Sequence, residues 1–114
     1  LEIEKLNLKQ SKSENIKKLT KKFRSYFYSF INELKRTKID VEKASSIIEN
    51  CKKLTDEMKN EVSHHFFLET EHLKDMMVEN LNKLISRNNL VDEKLLSETT
   101  ICYENWNTSI KYEL

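Results

Sequence analysis

No glycine and no proline occurs anywhere in these 114 residues. Both residues disfavour helix interiors, so their absence suits a chain that is helical from end to end. It also removes the phosphate-cradling loop and the nucleophile elbow, both of which depend on glycine. Alanine, the strongest helix former, is nearly missing too, with Ala44 the single example. Helix propensity does not explain that loss. Codon bias does, because Gly, Ala and Pro have GC-rich codons whereas Lys, Asn and Ile have AT-rich ones. The composition points to an AT-rich genome such as an apicomplexan parasite's, with a symbiont, a spirochaete or some arthropod genes as the alternatives.

A chain of this length makes one domain with a real core. Charged residues make up 34% and hydrophobic ones 38%, too apolar for a disordered tail and too polar for a membrane protein. The longest apolar runs, Phe66–Leu68 and Met76–Val78, fall far short of a membrane span. No signal peptide is visible, and the chain opens on Leu1, as a mature product or an excised fragment would.

Periodicity predicts about four helices. The opening LEIEKLNL suits a short arm or a short helix, and Ser11-Lys-Ser-Glu14 has the spacing of a capping box. Ile16, Leu19, Phe23, Phe27, Phe30 and Leu34 then recur at steps of three and four, and the helix should fail near Thr37–Asp40. Asp40 caps a second helix carrying Val41, Ala44, Ile48 and Cys51 on one side. Thr55 or Asp56 caps a third helix running to about Arg87, and Asn88-Asn89 ends it. A last helix starts near Asp92 with Leu95, Cys102, Trp106 and Ile110 on one face. An all-α domain over residues 1–114, a compact antiparallel bundle of about four helices, is the expected fold.

The main functional feature is the stretch KKLTKKFRSYFYSF at 17–30. Residues 12–38 hold nine basic and two acidic side chains, a balance of +7 in a chain of +1, leaving −6 for the remainder. At about 100° per residue, Lys17, Lys21, Arg24, Tyr28 and Lys35 share one flank of the apolar stripe. Basic groups around a ring attract acidic protein surfaces, lipid headgroups and phosphates. A merely solvated basic face is the plainest reading. Among partners, a protein is expected first, an anionic membrane second, and nucleic acid least, since the charge is near neutral and no nucleic-acid motif is present. Phe23, Phe27 and Phe30 belong to the core; Tyr28, with Tyr26, supplies the rings left outside.

Metal chemistry has one place to reside. Glu61, His65, Glu69 and His72 fall within an arc of about 80° on a helix, and Glu69-x-x-His72 has di-iron bundle spacing. All three histidines belong to that one stretch, so no second Glu-x-x-His stands on a facing helix, and neither a metal nor a cofactor is expected. A lysine or His65 should pair with Glu69. No pair of carboxylates stands out as an acid–base couple, and the chain is expected not to be an enzyme. Asn107-Thr-Ser109 forms a glycosylation sequon, and Lys111-Tyr-Glu-Leu114 resembles an ER-retention signal but for Tyr112.

Cys51 and Cys102 both lie on apolar stripes of different helices. A bridge between them would close a loop of about 52 residues and restrict the unfolded chain by about 4 kcal/mol. A disulfide would imply an oxidising compartment, and the expectation of a secreted, host-facing interaction module rests largely on it. Two alternatives stand beside that reading. One is a carrier with a cavity among Met58, Phe66, Phe67, Met76, Met77 and Trp106; the other is an intracellular scaffold fragment.

Overall fold

The computed structural model describes residues 2–114, with side chains from Ser11 onward. Four helices, α1 (Glu2–Leu34), α2 (Val41–Met58), α3 (His64–Ser86) and α4 (Glu93–Ser109), are followed by a 3-10 turn at Ile110–Tyr112. No strand is present among the described residues, and the all-α bundle is the observed architecture.

The predicted stripe of α1 is its buried face, with Phe23 and Phe30 fully enclosed and Ile16, Leu19, Phe27 and Leu34 nearly so. Each such side chain contributes about 1.5–3 kcal/mol by leaving water. The start of α1 differs from expectation. Helix runs from Glu2 through Leu8 and on without a break, so this part of the opening is neither an arm nor a separate helix, and Ser11 lies inside the helix and caps nothing. The other ends of α1 and its neighbour follow the sequence. Asp40 adopts an extended backbone and its Oδ1 accepts the Lys43 amide at 3.1 Å.

Glu33 closes this corner. Its carboxylate is buried, accepts the Asp40 amide at 2.9 Å, and lies 3.3 Å from Arg36 and 3.6 Å from Lys43. The Asp40 amide bond does most to hold the Glu33 carboxyl below its ordinary range; burial opposes it, and Arg36 and Lys43 assist.

The boundary between α2 and α3 also differs. Thr55 and Asp56 lie within α2, and the Thr55 hydroxyl is buried and donates to the Cys51 carbonyl at 2.8 Å. The true cap is Ser63, which accepts the Phe66 amide and is itself held by Glu113. That carboxylate takes the Ser63 amide at 2.6 Å and its hydroxyl at 2.9 Å. A serine with a second partner outcompetes Thr55, whose hydroxyl finds an acceptor one helical turn back. Met58 therefore belongs to α2 and Val62 to the turn.

Asn88 and Asn89 end α3 with φ of 54° and 67°, and the Asn89 amide reaches back to the Leu84 carbonyl at 2.8 Å. This is the Schellman bond that left-handed residues at a helix end permit. Asp92 caps α4 through the Leu95 amide. The buried face of α4 is Leu95, Leu96, Thr99, Tyr103 and Trp106, rotated from the predicted one so that Cys102 sits at its margin.

Consecutive helices pack on one another, α1 on α2, α2 on α3 and α3 on α4. α4 then returns beside α1, antiparallel, with Phe23 against Trp106 and Phe27 against Tyr103. These rings close the bundle.

Candidate functional site

The flank singled out in the sequence lies along the outer edge of α1, and its C-terminal part faces α4. Lys17 and Lys21 are exposed near the start of the bundle. Arg24 is half-buried and its Nη1 donates to Asn107 Oδ1 on α4 at 3.5 Å. Tyr28 is 56% exposed, and Lys35 is exposed. Spacings of four and eleven residues bring Arg24, Tyr28 and Lys35 to the same side of α1. Among the described residues no carboxylate lies within ion-pair distance of Lys17, Lys21 or Lys35.

Tyr28 and Lys35 line an open groove of about 540 Å³ between α1 and α4. Phe27, Ile31 and Asn32 complete its α1 wall, and Thr100, Tyr103, Glu104, Asn107 and Thr108 form the α4 wall. Phe27 and Tyr103 stack in parallel at 4.1 Å, and the Tyr28 ring stands edge-on to Tyr103 at 5.5 Å. The edge-on approach is a favourable ring geometry, and the parallel pair packs its two faces closely.

Tyr103 is 5% exposed, and its buried hydroxyl has no hydrogen-bond partner. Tyr28 lies close enough to act on it without completing a bond of good geometry. Burial raises the Tyr103 pKa most, Tyr28 adds to the rise, and Arg24 offsets part of it. The phenol is therefore a proton-bearing donor at neutral pH. Around it, the hydroxyls of Thr100 and Thr108 already donate to the carbonyls of Leu96 and Glu104. Ile31, Asn32, Thr100, Tyr103 and Glu104 are the groove residues that sequence reasoning missed, and Asn107 and Thr108 entered it only as part of a glycosylation sequon. The signal lay in the spacing Leu96–Thr99–Tyr103–Trp106, which outlines the buried face of α4 better than the predicted set does.

The two cysteines are free, so the expected Cys51–Cys102 disulfide is absent. The reason is topological. α2 packs between α1 and α3, whereas α4 packs on α3 and closes on α1, so the two thiols stand on opposite corners of the bundle. Cys51 is fully buried and its thiol is pushed up to about 12 by burial. Burial also raises the Cys102 thiol, with Glu69 adding to the rise.

The histidine-bearing stretch is divided by the α2–α3 turn. Glu61 lies in that turn and not on the helix with His65, Glu69 and His72. His65 Nε2 pairs with Glu69 Oε1 at 2.8 Å, as expected of a half-buried glutamate, while His72 is exposed. Among the described residues no three His, Cys, Asp or Glu side chains gather as a metal site would require. Of the soft residues considered for a carrier cavity, Met58, Phe66, Met77 and Trp106 pack into the core, and Phe67 and Met76 lie half-buried outside it.

No helix among the described residues is long and apolar enough to cross a membrane. The chain matches no protein-family model, and neither curated proteins nor solved structures show a significant similarity to it.

Proposed function

We propose that this protein is a non-enzymatic helical interaction module that binds an acidic protein surface along the α1 flank formed by Lys17, Lys21, Arg24, Tyr28 and Lys35. The observation that carries the proposal is the lack of compensation there. Among the described residues Lys17, Lys21 and Lys35 project without a carboxylate partner from a segment of balance +7, in a molecule whose remaining charge is −6. A field left open over several turns of helix steers acidic surfaces toward it. The core cluster takes up Met58, Phe66, Met77 and Trp106, which favours a surface function over a carried ligand. Two free thiols are compatible with a reducing compartment as well as an oxidising one, and the proposal names a surface, not a location.

The test is charge reversal. Lys17→Glu, Lys21→Glu and Arg24→Glu together should abolish retention on an acidic-peptide column while leaving the helical circular dichroism unchanged. Retention that survives both the triple change and high salt sinks the proposal, since exposed charges are screened beyond about 8 Å at physiological salt.

A further inference from the structure

We infer that the α1–α4 groove is the seat for one acidic side chain of the partner, with the Tyr103 hydroxyl donating to its carboxylate and Lys35 supplying the counter-charge. The inference rests on the reading of the α1 flank as an acidic-surface binder and gives that surface its specific point of contact.

A buried hydroxyl without a partner is unfavourable by about 1–3 kcal/mol. Natural interiors rarely keep one, and an unmatched donor at the bottom of an open groove is a polar group waiting for an acceptor. Tyr103 fits that description. Its ring is fixed by the parallel stack on Phe27, so the hydroxyl cannot turn elsewhere for a bond. Its cover is Tyr28, whose ring is 56% exposed and meets Tyr103 only edge-on. Turning Tyr28 aside opens the hydroxyl to the groove at the expense of two aromatic edge contacts, to Tyr103 and to Phe27.

The nature of the acceptor follows from the charges. The phenol stays protonated and so donates. Lys35 lines the same groove with no ion-pair partner among the described residues, and Arg24 reaches the groove wall through its bond to Asn107. Against them stands Glu104 on the α4 wall, exposed and unpaired among the described residues. Lys35 and Glu104 balance among the lining residues, and Arg24 at the groove's edge tips the local charge positive, which selects a carboxylate over a neutral carbonyl. Hydrogen bonds to a charged acceptor are the stronger kind. Glu104 opposes the incoming charge from the far wall and so orients the ligand toward Lys35.

The experiment uses hexaglutamate as probe, followed by NMR of the tyrosine rings and by calorimetry, with hexaglutamine as the uncharged control. Hexaglutamate should shift the Tyr28 and Tyr103 signals. Tyr103→Phe should weaken its binding about tenfold, the weight of one charge-assisted hydrogen bond. The same variant should melt at the same temperature as the parent or higher, because it removes an unmatched polar atom. Lys35→Gln should weaken binding several-fold and Glu104→Gln should tighten it about twofold.

Equal affinity of Tyr103→Phe and parent overturns the inference, as does the absence of any Tyr103 shift at millimolar hexaglutamate. A Tyr103 response to phosphatidylserine vesicles without one to hexaglutamate also overturns it, in favour of a lipid headgroup. Lys17→Glu with Lys21→Glu, both outside the groove, separates the two readings. If that pair weakens binding and Tyr103→Phe does not, the flank stands and the groove falls; the reverse pattern keeps the groove and removes the flank.

Discussion

α4 is held on its two sides by different physics. Toward α3 the seam is directional. The Trp106 indole N–H donates to Thr70 Oγ1 at 2.8 Å, and Thr70 passes its own proton to the Phe66 carbonyl at 2.9 Å. Lower down, Asn80 donates to Thr99 Oγ1 at 2.7 Å and Thr99 donates to the Leu95 carbonyl. Each threonine serves as acceptor and donor at once, so a small side chain links two helices at close range. Toward α1 the seam is made of rings, with one long, exposed hydrogen bond from Arg24 to Asn107. Each seam leaves one buried polar atom unmatched, Asn80 Oδ1 on the first and Tyr103 Oη on the second. Only Tyr103 belongs to a residue lining the α1–α4 groove. Directional bonds specify register and close a seam; ring stacking buries area and leaves room at its edge.

The comparison can be broken first by Phe27→Ala. If rings carry the α1 seam, removing the one that stacks on Tyr103 should destabilise the protein by about 3–5 kcal/mol in urea unfolding. A loss under about 1 kcal/mol would mean that α1 is held mainly by α2. Thr70→Val comes next. It keeps the shape but strands the Trp106 N–H, and the expected loss is about 1–3 kcal/mol. No loss would show the α3 seam to be packing as well.

Acid should act more gently and on neither seam directly. Glu33 and Asp92 sit at the two turns flanking them, each with its carboxyl held below its ordinary value, 4.5 for Glu33 and 3.8 for Asp92. For Asp92 the Leu95 amide is the leading cause, opposed by burial and aided by Lys83 and Arg87. A depressed folded pKa means that the unfolded chain takes up the proton first. The stabilisation is complete above the ordinary values and is lost as pH falls through the lower, folded ones. Melting temperature should therefore decline on acidification below about pH 4.5, and Glu33→Gln should flatten the upper part of that decline. The smallest effect is that of Tyr103→Phe on stability, within about 0.5 kcal/mol of zero or slightly favourable, because the packing lost with the hydroxyl offsets most of the cost of burying it unmatched. A clear destabilisation would reveal a partner for the hydroxyl and make the two seams alike.

Much of the fold could be read from pattern, because the buried stripe of α1 has helical spacing and Asp40 and Asp92 carry a capping group at the right place. The α2–α3 break could not. Lys59, Asn60 and Glu61 include no glycine or proline, and Thr55, Asp56 and Ser63 offer similar capping chemistry. What selects Ser63 is Glu113, fifty residues away. The flank was legible as charge on one helix. The groove was not, because it exists only once α4 lies against α1, and because a face drawn through Cys102 leaves Tyr103 beside the stripe instead of on it. The disulfide failed for the same reason. Stripe position reveals that a thiol faces inward but not which corner of the bundle it occupies.

Trp106 is the sole tryptophan, 1% exposed, with Phe23 of α1 at 4.9 Å, Phe66 of α3 at 5.6 Å and Tyr103 at 5.9 Å. The molecule thus carries a built-in fluorophore at the point where both seams meet. Its emission should be blue-shifted in the native state and move red whenever either neighbour withdraws. Excitation through the tyrosines should light it by energy transfer as long as the bundle holds them within reach of the indole. A partner that turns Tyr28 aside leaves the indole wavelength unchanged, whereas one that pries α1 from α4 shifts it, so a single label-free spectrum separates docking from opening.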